Sequence, residues 1–196
     1  MADEVIAIPA GHIASVVTHL EMRERPRLRP MPVTPLRLKR WPDPDPQKYR
    51  LLFKRVGAPW LWRGRLILSE TALAETIRDP QVVLHAVVDP KGIEVGMVEL
   101  DFRQPGECEI VYFGLIPDYN GNGHGAWLMA QTLALAWRKD VTRVWLHSCT
   151  LDHPGALRFY CKQGFTAYRR ELEYFPDPRL EGHYPRDAAP QLPVIE

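Results

Sequence analysis

The sequence predicts a single domain of the α/β (α+β) class, built on one mixed central sheet with flanking helices. Two apolar runs, 82–88 and 95–102, surround turn residues and predict an antiparallel hairpin. A third run at 109–116 follows the turn residues Gln104-Pro105-Gly106. An apolar helix then separates it from a further strand at 141–148. Antiparallel N-terminal strands followed by a strand–helix–strand unit predict one mixed sheet.

The elements before residue 82 are predicted from periodicity and cap residues. Residues 14–24 are rich in β-branched side chains and favour a strand, although the same apolar spacing also fits a helix. Residues 36–40 alternate as a half-buried strand does. Helices are predicted over 47–56, ended by Gly57, and from the N-cap Ser69 to about residue 78.

The elements after residue 109 follow from similar signals. Gly114 inside the strand 109–116 predicts a β-bulge or the close approach of another backbone. The next helix is predicted to reach about Lys139, where Arg138 and Lys139 complement its dipole. A helix over 154–163, capped by Gly164, precedes a strand over 165–175.

The predicted organisation is a core at 36–175, an N-terminal extension at 1–35 and an extended C-terminal tail at 176–196. At 196 residues the chain is long enough for one well-buried domain. The tail either wraps its own domain or contacts a partner subunit, so a homodimer stays open.

Composition excludes several classes of function. The net charge of +1 gives no reason to expect nucleic acid or anionic membrane as a partner. No apolar run reaches the roughly 20 residues of a membrane helix, and the acidic start Met1-Ala2-Asp3-Glu4 is unlike a leader. Three widely spaced cysteines are typical of reduced thiols in a cytoplasmic protein.

Histidine and cysteine spacing does not predict a metal site. His147, Cys149, His153 and Cys161 lie close in sequence, but neither CxxC nor HExxH accompanies them. On a strand, His147 and Cys149 share a face and belong to packing or to the wall of an active site.

The stretch Asn120-Gly121-Asn122-Gly123-His124-Gly125 carries the strongest functional signal. Glycine permits close backbone approach, and a helix start favours phosphate. Ala126-Trp127 stands where an ATP-binding P-loop needs lysine and Ser/Thr. The G-x-G-x-G spacing also differs from the dinucleotide fingerprint, which disfavours a nucleotide-dependent oxidoreductase. A pyrophosphate cradle and a glycine-rich turn without ligand both remain.

A second segment favours the cradle and indicates its ligand. Ala156, Tyr160, Gly164 and Phe165 resemble the A-x-x-x-Y-x-x-x-G-F signature of the GNAT superfamily of N-acetyltransferases. The glycine stretch is similar to that superfamily's R/Q-x-x-G-x-G/A loop, which binds the pyrophosphate of acetyl-coenzyme A (acetyl-CoA). The resemblance covers about residues 80–170, with both signatures in the family's order.

The chain also resembles an uncharacterised bacterial subgroup of these enzymes. The matching segments are Trp60-Leu61-Trp62, Tyr112-Phe113-Gly114-Leu115 and the run from Cys149 to Pro154. Two positions depart from the superfamily pattern. Asn120 stands where Arg or Gln is usual, and His153 stands where many members have an Asn that contacts pantetheine.

The resemblance implies an acetyl-CoA dependent N-acetyltransferase that moves acetyl to a primary amine by direct attack in a ternary complex. Acetyl-CoA is then a co-substrate, with no metal, and the acceptor is a small-molecule or peptide amine. A non-catalytic acyl-CoA sensor on the same scaffold is the alternative. The implied acetyl-CoA site comprises Phe113, Gly114, Leu115, Asn120, Gly121, Asn122, Gly123, His124, Gly125, Ala126 and His153.

The resemblance also implies catalytic roles. Tyr160 is in the position of the acid that protonates the leaving thiolate, although tyrosines also pack cores. Glu109 is the candidate base, directly or through water, and a solvated strand glutamate is the alternative. Glu99 and Glu107 are weaker candidates. Trp60, Trp62 and Arg63 fall where the family shapes its acceptor site, and the tryptophans equally suit a packing role.

Overall fold

A computed structural model describes residues 5–27 and 30–196. In this part of the chain seven strands form one sheet in the order β2-β3-β4-β5-β6-β1-β7. The strands are β1 His12–Met22, β2 Arg37–Arg40, β3 Val82–Val88, β4 Glu94–Asp101, β5 Glu107–Leu115, β6 Arg143–Cys149 and β7 Thr166–Pro176. The helices are α1 Pro46–Gly57, α2 Glu70–Arg78, α3 His124–Ala136 and α4 Ala156–Gln163. Only the β5–β6 pair is parallel, so the predicted mixed α/β sheet is confirmed.

The helix starts follow the local sequence. The Asp45 side chain accepts a hydrogen bond from the Lys48 N–H at 2.8 Å and caps α1. Ser69 caps α2 through the Ala72 N–H at 3.1 Å, as its position predicts. Gly164 ends α4 with φ of 104°, a conformation that glycine adopts without a Cβ clash.

The strand β1 lies inside the sheet although it belongs to the segment predicted as an N-terminal extension. It pairs antiparallel with β6 through Val17–Met22 and with β7 through His12–Glu21. Alternate residues such as Leu20 and Met22 are buried, which agrees with the predicted strand. Residues 12–22 therefore lie beside the C-terminal end of β6.

The helices cover both faces of the sheet. Tyr49, Phe53 and other residues of α1 join Leu73 of α2 in one apolar core. On the other face α3 contributes Trp127 and Leu128 to a second core, against which Tyr160 of α4 packs. The strands β3 and β4 are buried on both faces, whereas most of β7 is exposed.

The helix α3 ends three residues earlier than the sequence predicts. It stops at Ala136, because Trp137 turns out of the helix with ψ of 76° and is only 8% exposed. Arg138 then places its guanidinium 3.4 Å from the centre of the Phe102 ring. The predicted pairing of Arg138 and Lys139 with the helix dipole is therefore wrong, and a cation–π contact takes its place.

The C-terminal tail is compact rather than extended, which corrects the prediction for residues after 176. It forms successive turns around a buried pair in which Arg179 contacts Asp177 at 2.7 Å. Arg179 also donates hydrogen bonds to the carbonyl oxygens of Ala188 and Leu192. The Tyr184 hydroxyl donates to the Trp62 carbonyl at 2.6 Å, so the tail wraps its own domain.

Candidate active site

A cavity of about 580 Å³ opens where the parallel strands β5 and β6 separate. Their pairing ends at Glu109 and Trp145, so the β6-facing edge of β5 beyond Glu109 has no strand partner. The separation coincides with a β-bulge. Ile110 and Tyr112 pair with two consecutive residues of β4, so Val111 between them is the extra residue of the bulge and has no partner on β4. Unpaired backbone groups along this edge are available to a ligand.

Gly114 in β5, where the sequence predicts a bulge or a close approach, is a site of close approach. The bulge lies three residues earlier. A Cβ built on Gly114 would lie 2.7 Å from Cγ1 of Val56 and 3.1 Å from Cη2 of Trp62. Any larger residue would therefore push α1 or the Trp62 indole away from the strand. Phe113, Gly114 and Leu115 all line the cavity.

The glycine stretch forms an open loop at the start of α3. Gly121 has φ of 83° and Gly123 has φ of 78°, and a Cβ built on either would meet nothing within 4 Å. Gly123 is the N-cap and offers no side-chain acceptor to the first N–H groups of the helix. Uncapped N–H groups beside open space suit a pyrophosphate.

Not every residue of the loop borders the cavity. Asn120, Gly121 and Gly125 line it, whereas Asn122, Gly123, His124 and Ala126 do not. The His124 ring nitrogen Nδ1 instead lies 2.8 Å from Oγ1 of Thr34. This contact ties the loop to the chain that leads into β2.

Tyr160 projects from α4 into an aromatic cluster at the cavity wall. Its ring centroid lies 5.5 Å from that of Phe159 and 6.2 Å from that of Phe113. Burial raises the pKa of the Tyr160 hydroxyl well above 10.0. The hydroxyl is therefore fully protonated at neutral pH and is able to donate a proton or a hydrogen bond.

His153 stands just before α4 and borders the same cavity. Its Nδ1 accepts a hydrogen bond from the Gly155 N–H at 3.0 Å, which fixes the ring. The ring centroid of Trp60 lies 5.4 Å away. One ring nitrogen of His153 therefore remains available to a ligand.

Glu109 lies behind the cavity wall, and His147 on β6 stands between it and the cavity. His147 Nδ1 is 3.6 Å from Oε1 of Glu109, and His147 lines the cavity whereas Glu109 does not. The Glu109 carboxylate raises the pKa of His147 above its ordinary 6.5, although burial opposes it. His19 faces His147 at 5.9 Å between ring centroids. The sequence indicated only packing or wall roles for His147.

The two weaker candidates for the base have structural partners. Glu99 is completely buried, where it accepts a hydrogen bond from the Tyr49 hydroxyl at 2.5 Å and contacts Arg65 at 2.5 Å. Glu107 contacts Arg143 at 2.9 Å. Neither carboxylate lines the cavity.

Trp60 and Trp62 both line the cavity, and Trp62 is also packed into the protein core. Its indole lies against Phe53 and Tyr112, and its Nε1–H donates to Asp152 at 3.4 Å. Gly57 allows this packing, since a Cβ there would lie 2.5 Å from the Trp62 Cβ. The lining and packing roles that the sequence left open are thus combined in Trp62.

Several cavity residues were not identified as site residues from the sequence. Ser15 lies on β1, Asp152 follows β6, and Glu173 and Phe175 alternate along β7. Period-two alternation in 165–175 could have placed Glu173 and Phe175 on one face. Only the pairing of β1 with β6 and β7 brings Ser15 to the site.

Two further observations concern metal and membrane. Within residues 5–27 and 30–196, no three His, Cys, Asp or Glu side chains are grouped as metal ligands. None of the helices in those ranges is long and apolar enough to cross a membrane.

Comparison with known families gives one match. The acetyltransferase (GNAT) family matches residues 36–165, about two thirds of the chain. The sequence has no significant match among curated proteins.

Solved structures share the fold at low identity. A GCN5-related N-acetyltransferase from Sphaerobacter thermophilus is 17% identical with a TM-score of 0.61, covering 83% of this chain and 51% of that one. A putative GNAT-family acetyltransferase from Novosphingobium aromaticivorans is 19% identical with a TM-score of 0.55, covering 86% and 68%. A conserved protein of unknown function from Staphylococcus epidermidis is 14% identical with a TM-score of 0.54, covering 85% and 63%. This chain thus spans less than two thirds of the first and third of these proteins.

Proposed function

The chain belongs to the acetyltransferase (GNAT) family, and on that premise we propose that it transfers acetyl from acetyl-CoA to a primary amine. Attack is direct, in a ternary complex. The observation that carries this proposal is one cavity that borders the glycine loop, the free edge of β5 and Tyr160. These three features supply a phosphate site, backbone donors and an acid.

The residues of the cavity suit acetyl-CoA. Its pyrophosphate would bind the N–H groups at the start of α3, where Gly121 and Gly123 leave open space. Backbone binding of this kind does not need the arginine or glutamine that Asn120 replaces. The N–H groups of β5 between Phe113 and Leu115 would polarise the thioester carbonyl, because that edge has no partner strand. His153 would donate to the pantetheine arm in place of the usual asparagine.

Proton transfer requires a base for the amine and an acid for the thiol. We assign the base to Glu109 acting through His147, since His147 alone of the two borders the cavity. His147 takes one proton from the substrate ammonium, the neutral amine attacks the carbonyl carbon, the C–N bond forms and the C–S bond breaks. The leaving thiolate takes the Tyr160 proton, and the second proton that the amine nitrogen loses passes through solvent to the tyrosinate.

Amine-dependent thiol release tests the proposal. Purified protein is incubated with acetyl-CoA and a broad panel of primary amines, and each acetylated product is identified by mass spectrometry. The proposal predicts thiol release that requires the amine, together with the matching N-acetyl product. Tight acetyl-CoA binding without thiol release for any amine would contradict it and favour the acyl-CoA sensor.

We propose that the protein acts in the cytoplasm. Three free cysteines at Cys108, Cys149 and Cys161 suit the reducing cytoplasm, where acetyl-CoA is used.

A further inference from the structure

Two charged side chains on one wall of the cavity form no ion pair within residues 5–27 and 30–196. Arg63, in the turn after Trp62, makes neither a side-chain hydrogen bond nor an ion pair there. Its Nε is buried and has no hydrogen-bond partner. Glu173 on β7 also borders the cavity without such a contact. Unpaired charges in a cleft are available to a ligand.

Arg65 shows what a structural arginine in the same turn does. It contacts the fully buried Glu99 at 2.5 Å and donates to that carboxylate through two nitrogens. Its charge is therefore neutralised inside the core, away from the cavity. Arg63 lies two residues earlier and has no such neutralisation, which makes its charge available.

The position of Arg63 is fixed by an aromatic ring. Its guanidinium carbon lies 4.7 Å from the centroid of the Phe175 ring, a cation–π contact. Phe175 and Glu173 share one face of β7, about 7 Å apart along the strand. Arg63 and Glu173 form no ion pair with each other. The wall thus presents separated positive and negative groups.

The negative charges gather around His147. Its pKa is raised first by Glu109 and further by the charges of Asp152 and Glu173. Arg63 borders the same cavity. The acceptor side of the cavity therefore has an acidic region at His147 and a guanidinium at Phe175.

We propose that the acceptor is an amine that also carries a carboxylate, as an amino acid does, and that Arg63 binds this carboxylate. The amine then lies toward the acidic region, which Glu173, Asp152 and His147 border. A guanidinium matches a carboxylate with two parallel hydrogen bonds. A phosphate dianion suits this wall less well, because Glu173 would repel its second charge. This inference rests on the proposed acetyl transfer.

Matched acceptors and an arginine variant test the inference. L-phenylalanine is compared with 2-phenylethylamine, and L-leucine with 3-methylbutylamine, by kcat/KM for thiol release. Wild-type protein should prefer the carboxylate member of each pair by about 10- to 100-fold, as a charge-assisted hydrogen bond implies. Arg63→Met should abolish this preference, and Arg63→Lys should retain part of it. Arg25→Met, at an exposed position outside the cavity, is the control.

Product binding separates this inference from the proposed function. N-acetyl-L-phenylalanine and N-acetyl-2-phenylethylamine are titrated calorimetrically into protein saturated with coenzyme A. Tighter binding of the carboxylate product that is lost in Arg63→Met supports carboxylate binding by Arg63, even if no amine releases thiol. Absence of thiol release would contradict only the proposed acetyl transfer. Thiol release without a carboxylate preference, or equal binding of both products, overturns carboxylate binding by Arg63.

Discussion

At the scale of single residues, Tyr160 belongs to an identifiable sequence signature and is placed to meet a chemical requirement of the proposed reaction, a proton donor for the leaving thiolate. The sequence located it through the spacing to Gly164 and Phe165. The structure adds the environment, an aromatic wall in which burial raises the hydroxyl pKa. A thiolate is a weaker base than this tyrosinate, because a thiol has a pKa of about 8–9, so proton donation to the departing sulfur depends on the prompt return of a proton to Tyr160.

Removing this hydroxyl should slow the chemical step without weakening coenzyme binding. For Tyr160→Phe we expect kcat to fall by about 10²-fold, the lower range for a general acid. The Kd for acetyl-CoA, measured by calorimetry, should change by less than about 3-fold, since the ring and its packing stay. Tyr174→Phe, at an exposed position on β7, is the matched control. An unchanged kcat would show that Tyr160 only packs.

The Glu109–His147 pair predicts a defined pH dependence. A base must be deprotonated, so kcat/KM should rise with pH through the pKa of His147, which Glu109 holds above 6.5. In Glu109→Gln the stabilising negative charge is lost, so this pKa falls and the rising limb moves to lower pH. His147→Gln should remove the limb and lower the rate. Charged and titratable neighbours facing His147 are His19, Asp152 and Glu173, so each profile is compared at constant ionic strength. Superimposable profiles for wild type and His147→Gln would refute the assignment.

At the scale of elements, the glycine loop and the start of α3 form the predicted phosphate site. Glycine is favoured at positions 121 and 123 by the positive φ of Gly121 and Gly123. Lack of space is not the reason, because a Cβ at either position would meet no neighbour. The left-handed conformation costs about 1–2 kcal/mol for other residues. The loop is thus held open by backbone geometry, with its N–H groups free for a ligand.

Alanine substitution at these glycines should weaken coenzyme binding and stability together. Gly121→Ala and Gly123→Ala should each lower Tm by roughly 2–8 °C in a chain of this size. Each should also raise the Kd for coenzyme A by about tenfold, the equivalent of one charge-assisted hydrogen bond. Gly92 has φ of 86° and equally open surroundings in the β3–β4 turn, and it does not line the cavity. Gly92→Ala should lower Tm similarly and leave coenzyme binding unchanged. Equal Kd values for all three variants would contradict a phosphate role.

Element types were predictable from the sequence because local signals determine them. Ser69 and Gly164 mark helix ends with local side-chain or backbone chemistry. The end of α3 was not predictable, since the packing of Trp137 and the contact of Arg138 with Phe102 are tertiary effects. The bulge at Val111 likewise depends on register with β4, which no single strand encodes.

At the scale of the whole molecule, distant segments meet around the cavity. The strand β1 brings Ser15, the turn after α1 brings Trp60 to Arg63, and β7 brings Glu173 and Phe175. The sequence located the parts with motif spacing, chiefly the glycines and Tyr160. It could not locate Ser15 or Glu173, because their proximity arises only from the strand order β6-β1-β7.

The tail stabilises this arrangement through a buried ion pair. Burial alone would raise the pKa of Asp177, but hydrogen bonds from Arg179 lower it below 3.8. The pair therefore contributes stability above that pH, and the contribution is lost as pH falls through the lower folded pKa. Through Tyr184 and the Trp62 carbonyl, the tail also fixes the tryptophan turn at the cavity.

Breaking this pair should destabilise the fold strongly. Arg179→Met leaves the Asp177 carboxylate buried without a partner, so the free energy of unfolding should fall by about 3–5 kcal/mol. Arg78→Met, which removes the exposed pair with Asp43, should cost less than about 1 kcal/mol. Urea denaturation measures both. A loss in Arg179→Met no larger than in Arg78→Met would mean that the tail adds little stability.

A crystal structure of the protein with acetyl-CoA would test the central claim most directly. The proposed function predicts the pyrophosphate within hydrogen-bond distance of the N–H groups between Gly121 and Gly125. It also predicts the thioester between the separated ends of β5 and β6, with its sulfur beside the Tyr160 hydroxyl. Acetyl-CoA bound outside this cavity, or bound in it with the thioester remote from Tyr160, would contradict the account.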